Sequence, residues 1–457
     1  IHETWCLLAA ACWMLVFGTA NGGIKHKPLQ NPEANMNIVS HPDYFLLGLP
    51  SEAYDVVTED GFILGVYRIP YGKGENSERT ARRPIFYLQH GMFVSASSWV
   101  ANPPYTSLAF TLADSGYDVW MGNSRGNIWL RKHVHYSPES FDEMAKYDLV
   151  ATLNFIVEKT NQEKLYYVGH SQGTTIAFTA SSTNPKLAQR IKVFFALAPV
   201  VSVQHCRGPL KTLMSIPPSL LKVIFGRKEL FPKSALSQFL RNQMCNWKGF
   251  NILCTDFLFH VYGYNRENIN MSCLDVYLSQ NMAGTSVQNI VHWNQARIQK
   301  SLLFQAYDWG NPAANTAHFN QVTPPLYNLE AIKIPTAIWS GQQDRFAPRR
   351  EVLPNVLPKL PNLIYHKKIP YYNHIDFLLG LDTPQEFFHE ILYLIKMYMK
   401  HYRPGRFLVS AWEAGRRERH ECSSWEGTFP FLPPHPCWGS GKGNKHLLTP
   451  TMHQGLC

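Results

Sequence analysis

Ser171 stands at the centre of Gly169-His170-Ser171-Gln172-Gly173, between the apolar run Leu165-Tyr166-Tyr167-Val168 and the segment Thr174-Thr175-Ile176-Ala177-Phe178. That order predicts strand, sharp turn, helix. A serine at the apex of such a turn sits in a strained backbone conformation, with its hydroxyl raised above the end of a buried strand. The glycines on either side suit a turn in which a side chain would collide with the neighbouring strand or helix. The helix N-terminus also presents backbone N–H groups that can hold an oxyanion.

Acyl transfer by a serine needs a base to take its proton and a carboxylate to orient that base. On a strand–serine–helix turn the chain order is nucleophile, acid, base. Asp344 follows the apolar run ending Trp339-Ser340-Gly341-Gln342-Gln343, and His374 lies in Ile369-Pro370-Tyr371-Tyr372-Asn373-His374-Ile375-Asp376-Phe377. Both fall in loops after strands, at the edge where Ser171 emerges. Asp376 is a rival acid, but only two residues separate it from His374, which suits a loop brace better. The expected oxyanion donors are the backbone N–H of Gln172 and that of Met92, in the loop His90-Gly91-Met92.

The elements that must position these groups follow from local pattern. Residues 54–70 read as a hairpin turning at Asp60-Gly61. Buried strands are expected at 84–89, 117–121, 165–168, 191–198, 334–340 and 362–366, with helical spacing over 141–160 and 385–402. Strands alternating with helices predict an α/β fold with a mostly parallel sheet covered on both faces. The alternation stops between 201 and 325, which reads as an inserted, mainly helical cap and lid. The resulting organisation is 24–200 and 326–403 as the two parts of the core, 201–325 as the cap, and 404–457 as a tail without periodicity. The cap's apolar positions include Leu210, Leu213, Met214, Ile216, Leu220, Leu221, Ile224, Phe225, Phe231, Leu236, Phe239 and Leu240.

The 457 residues are 45% hydrophobic and 17% charged, so a large core is expected. The net charge of +10 is scattered rather than clustered with stacking aromatics, which argues against nucleic acid and leaves anionic lipid surfaces as the milder reading. Residues 5–17 form one apolar run followed by small residues to Gly23, the pattern of a secretory signal over 1–23. No later stretch is apolar enough to span a membrane. Of nine cysteines, Cys245 and Cys254 could close a small loop worth about 2–3 kcal/mol in an oxidising compartment, whereas Cys206 and Cys273 have no obvious mates. No cysteine spacing suits zinc, and the chemistry requires neither metal nor cofactor.

With these residues in view, the chain resembles the acid lipase family of α/β-hydrolases. The matching stretches are Glu59-Asp60-Gly61, Leu88-Gln89-His90-Gly91, 118–127, 141–148, 169–175, 283–289, Tyr307-Asp308-Trp309-Gly310 and 373–377. The resemblance implies an α/β-hydrolase core with a helical cap and lid, hydrolysis of neutral lipid esters and stability in acid, with the apolar positions of the cap dividing between its own core and a lid face over an acyl tunnel. It carries the family triad onto Ser171, Asp344 and His374, and the oxyanion positions onto Met92 and Gln172. It also implies a Cys245–Cys254 disulfide and a glycan on Asn270, whose Asn270-Met271-Ser272 is the chain's one sequon.

Several positions depart from that pattern. Met92 stands where the family usually has Leu, a change a backbone donor tolerates. Gln342-Gln343-Asp344 replaces a glycine-richer approach to the acid, and Asn37 and Asn320 lack the Ser or Thr of a sequon. The family carries more aromatic residues between the stretches matching 136–140 and 141–144. The expected activity is serine-dependent hydrolysis of triacylglycerol or cholesteryl ester by a secreted protein, with a lysosomal location as the alternative. The shortened segment motivates a catalytically impaired lipid-binding protein as the rival, beside a short-chain esterase. Oligomeric state is not legible.

Overall fold

The structure is a computed structural model that describes residues 50–73, 82–127, 140–226, 229–230, 256, 259–274, 277, 283–298 and 303–401. The expected signal segment, the Cys245/Cys254 pair, the lid candidates Phe231, Leu236, Phe239 and Leu240, and the 404–457 tail lie outside the described residues.

The hairpin comes first. Strand β1 (Glu52–Val57) pairs antiparallel with β2 (Ile63–Ile69), from Glu52 opposite Arg68 to Val57 opposite Ile63. Gly61 closes the turn at φ 92°, a left-handed backbone that glycine adopts without steric cost. The strands β3 (Ile85–Gln89), β4 (Asp118–Gly122), β5 (Leu165–His170), β6 (Ile191–Leu197), β9 (Thr336–Gly341) and β10 (Leu363–Ile369) complete an eight-stranded sheet in the order β1-β2-β4-β3-β5-β6-β9-β10. From β4 to β10 all neighbours are parallel.

Alternate residues of one strand serve opposite faces. Ile85 and Tyr87 of β3 and Leu165 and Tyr167 of β5 join one core, and Phe86, Leu88, Tyr166 and Val168 join the other. Helices α1 (Leu108–Asp114) and α6 (His389–His401) cover the second face, while α2 (Leu149–Thr160) and α3 (Gln172–Thr183) cover the first. Burial on both faces explains why these strands read as unbroken apolar runs. The α/β expectation holds, and the strands lie within two residues of their expected limits, except that β10 runs on to Ile369.

Between β6 and β9 the described chain adds no strand to this sheet. It contributes α4 (Pro218–Phe225), α5 (Val287–Ile298), shorter helices, and the small antiparallel pair β7 (Glu229–Leu230) with β8 (Thr285–Ser286). This segment is fastened to the C-terminal edge of the sheet. Gly284 bridges Phe93, Ala283 N–H donates to Phe93 O at 2.7 Å, and Tyr262 O accepts from His374 N–H at 3.2 Å.

The shortening falls just before Phe141; residues 128–139 lie outside the described residues, but from Ser140 on the chain is firmly held. Ser140 caps the helix start, with its hydroxyl accepting from Asp142 N–H and its own N–H donating to the Glu143 carboxylate. Phe141 is buried, stacked on His292 with ring centres 4.0 Å apart. Asp142 accepts from Tyr307 N–H at 2.8 Å and from the Tyr327 hydroxyl at 2.6 Å.

Candidate active site

Strand β5 ends in a turn that is crowded by construction. Ser171 adopts φ 55°, ψ −124°, a conformation L side chains rarely take. A Cβ on Gly173 would lie 2.3 Å from Gln89 O, and one on Gly169 would lie 2.8 Å from Gly173 O. Glycine at both places lets β5, α3 and the end of β3 meet. A Cβ on Gly91 would lie 2.7 Å from Ser171 Cβ, so the loop after β3 reaches the serine itself.

Loops after β9 and β10 bring the other two groups. Asp344 Oδ1 accepts N–H bonds from Phe346 at 2.7 Å and Ala347 at 2.8 Å, which turns Oδ2 toward His374. His374 Nδ1 lies 2.8 Å from Asp344 Oδ2, and its Nε2 lies 2.7 Å from Ser171 Oγ. A carboxylate can only accept, so Nδ1 carries the hydrogen, Nε2 is bare, and the serine hydroxyl donates to it. The Phe346 ring stacks on the imidazole at 4.6 Å, and all three residues are buried. Such an arrangement can move a proton from Ser171 to His374 while Asp344 holds the ring. Asp376 does not compete: its Oδ2 accepts from Asn373 N–H at 2.6 Å and Asn265 Nδ2 at 2.9 Å, and burial pushes its carboxyl up to about 7. It braces the loop.

Gln172 opens α3, where the first N–H groups have no partner within the helix. Its side chain is tied away, with Oε1 accepting from Asn289 Nδ2 and Trp293 Nε1, both at 2.8 Å. On the other side, Ser124 N–H donates to His90 Nε2 at 3.1 Å, so His90 Nδ1 carries the hydrogen and donates to Gly91 O at 2.7 Å. Burial holds the His90 imidazole neutral, at about 4. Fixing Gly91 C=O fixes the planar Gly91–Met92 peptide, so the Met92 N–H points the opposite way.

Residue types and spacing did not reveal the supports of this site. Arg125 lies buried between two carboxylates, bonded to Asp60 at 2.6 and 2.8 Å and to Asp148 at 2.8 Å. The three come from separate stretches that the resemblance picked out without assigning roles. Asn289 and Trp293, which hold Gln172, lie on or beside another of them. Asn270 is half-buried and accepts from Ser272 N–H at 3.2 Å, with Ser272 exposed. Cys273, left without a mate by the sequence, is disulfide-bonded to a residue outside those described, and Cys206 is buried and free. Among the described residues no helix is long and apolar enough to cross a membrane.

Comparison with known proteins agrees with this fold. Residues 84–381 match the family model for the alpha/beta hydrolase fold, and 44–103 match that for a partial alpha/beta-hydrolase lipase region. Human lipase member K is 55% identical over 403 residues, which cover 87% of this chain and all of the relative. Human gastric triacylglycerol lipase is 52% identical, covering 86% of this chain and 98% of the relative. The lysosomal acid lipase/cholesteryl ester hydrolase of Macaca fascicularis is 48% identical, covering 80% and 92%. The chain belongs to the lipase family of the α/β-hydrolase fold.

Proposed function

We propose that this protein is a serine carboxylic-ester hydrolase acting on neutral lipids, triacylglycerol or cholesteryl ester. The observation that carries the reading is the bond chain Ser171 Oγ–His374 Nε2 and His374 Nδ1–Asp344 Oδ2, at 2.7 and 2.8 Å, on a strand-end turn. The named activities of the relatives at about half identity support the substrate class. Ser171 Oγ attacks the ester carbonyl as His374 takes its proton. The Met92 and Gln172 amides hold the oxyanion. His374 then protonates the departing alcohol, leaving an acyl-enzyme that water hydrolyses by the same steps in reverse.

The segment 201–325 acts as the cap and lid of this site. Its helix α4 buries Leu221 but leaves Leu220, Val223 and Ile224 exposed at 46%, 80% and 42%, which supports contact with a lipid surface. Each acyl CH₂ removed from water contributes about 0.8 kcal/mol, so long chains gain most. The apolar run at 5–17 supports secretion, and the exposed Ser272 beside Asn270 supports a glycan there. Activity in acid follows the named relatives.

Labelling the secreted protein with a long-chain alkyl fluorophosphonate tests the reading. Labelling that Ser171→Ala abolishes, followed by turnover of emulsified ester, supports it. Saturable lipid binding by a folded protein without labelling or turnover refutes it in favour of a lipid-binding role.

A further inference from the structure

Inside the turn, the side chain next to the nucleophile has no part in the steps above. His170 is the last residue of β5, and it is almost wholly buried. Its Nε2 lies 2.9 Å from the backbone oxygen of His374, a residue 204 positions away in sequence. A carbonyl only accepts, so Nε2 carries the hydrogen and Nδ1 is a bare acceptor. That Nδ1 is buried and finds no partner among the described residues. The two imidazoles lie 4.9 Å apart. Burial, with His374 and His90 close by, holds the His170 imidazole well below its usual range, hence neutral.

A buried polar atom without a partner is a cost, and an apolar side chain of similar shape would remove it. The return is the bond at Nε2. It joins the backbone that carries the nucleophile to the backbone that carries the base. The other tie on the His374 main chain, its N–H to Tyr262 O, comes from the segment over the site rather than from the sheet. We propose that His170 is a positioning residue: its Nε2–H clamps the His374 carbonyl and so sets the separation of Ser171 Oγ and His374 Nε2. Neutrality is part of the role, because a second cation 4.9 Å from His374 would oppose the imidazolium that forms when Ser171 gives up its proton. The proposal rests on the serine hydrolase reading.

The test compares full-length secreted His170→Phe, His170→Leu and His170→Gln with the wild type. Phe keeps the ring, Leu keeps apolar bulk, and Gln alone can restore an N–H at similar reach. Each variant is measured by thermal melting, by its rate of labelling with the alkyl fluorophosphonate, and by kcat and KM on a soluble p-nitrophenyl ester. Phe and Leu are expected to lower kcat and the labelling rate by about tenfold or more, with KM little changed and melting preserved or raised, since small misplacements of reacting groups are costly. Gln is expected to recover to within about threefold. Phe or Leu at the wild-type rate, or Gln no better than Phe, overturns the clamp. If one apolar variant fails to fold, the other and Gln decide. A wild type that does not label removes the hydrolase reading itself, and the clamp with it.

Discussion

Gly91→Ala isolates the closeness of the loop after β3 to Ser171. Gly91 is not among the positive-φ positions, so alanine brings no backbone strain and acts through contact alone. Its Cβ would sit 2.7 Å from Ser171 Cβ and 3.2 Å from Ser171 Oγ. The carbon–carbon contact has to open by roughly 0.8 Å to reach the ~3.5 Å at which dispersion is favourable. If Ser171 moves, its 2.7 Å bond to His374 Nε2 stretches toward the limit of hydrogen bonding. If the loop moves, the Met92 amide leaves the oxyanion position proposed for it. Either displacement approaches 1 Å, for which a loss of about 10²-fold is expected, or ~2.7 kcal/mol in the barrier. The cost to stability is of similar size, about 1–3 kcal/mol, as for other overpacked sites. The assay pairs fluorophosphonate labelling and ester hydrolysis with thermal melting. Gly173→Ala is the contrast: its Cβ would meet two backbone oxygens, at 2.3 and 2.9 Å, so it is expected to fail at folding. A Gly91→Ala protein that melts normally and works within about threefold of wild type would refute the reasoning.

Asp344→Asn is expected to cost about 10⁴-fold in kcat by reversing the tautomer of His374, whereas Asp376→Asn, whose Oδ2 only accepts N–H bonds from Asn373 and Asn265, keeps activity within about tenfold; equal losses would reassign the acid. Arg125→Met leaves the Asp60 and Asp148 carboxylates without their cation and is expected to cost about 3–5 kcal/mol in denaturant unfolding. Burial depresses His292 to about 4 from 6.5, with Asp142 Oδ2 4.0 Å from its bare Nδ1. The unfolded chain therefore takes up this proton first, and stability present above pH 6.5 is lost as pH falls toward 4. His292→Gln is expected to remove about 3 kcal/mol of that acid-side loss, read as a flatter melting temperature between pH 6.5 and 4.5.

Ser171, His374 and Asp344 were legible as candidate nucleophile, base and acid because each follows a recognisable buried strand, and strand C-termini in a parallel sheet share one edge. Asp344 was preferred over Asp376 because only two residues separate Asp376 from His374, but what engages the Asp376 carboxylate is a pair of N–H donors, one of them from Asn265 in a distant segment. Cys273 illustrates the opposite limit, since nothing in its surroundings in sequence signals its disulfide. His90 and His170 lie in motifs the sequence singles out and His292 in none, but nothing local assigns a role to any of the three side chains. Their roles are set by partners 34, 204 and 13 residues away, respectively.

Apolar runs of strand length, glycines flanking Ser171 and the order serine, aspartate, histidine determined the architecture and the candidate reacting groups, because periodicity and turn chemistry act over a few residues at a time. Tertiary structure alone decided which nitrogen of each buried histidine carries its hydrogen and where Arg125 finds its two carboxylates. It alone tied down the Gly91 carbonyl and the Gln172 side chain, beside the Met92 and Gln172 amides. Those outcomes depend on hydrogen bonds closing across the sheet and the segment above it, where burial makes each unpaired donor or acceptor costly and so selects one arrangement.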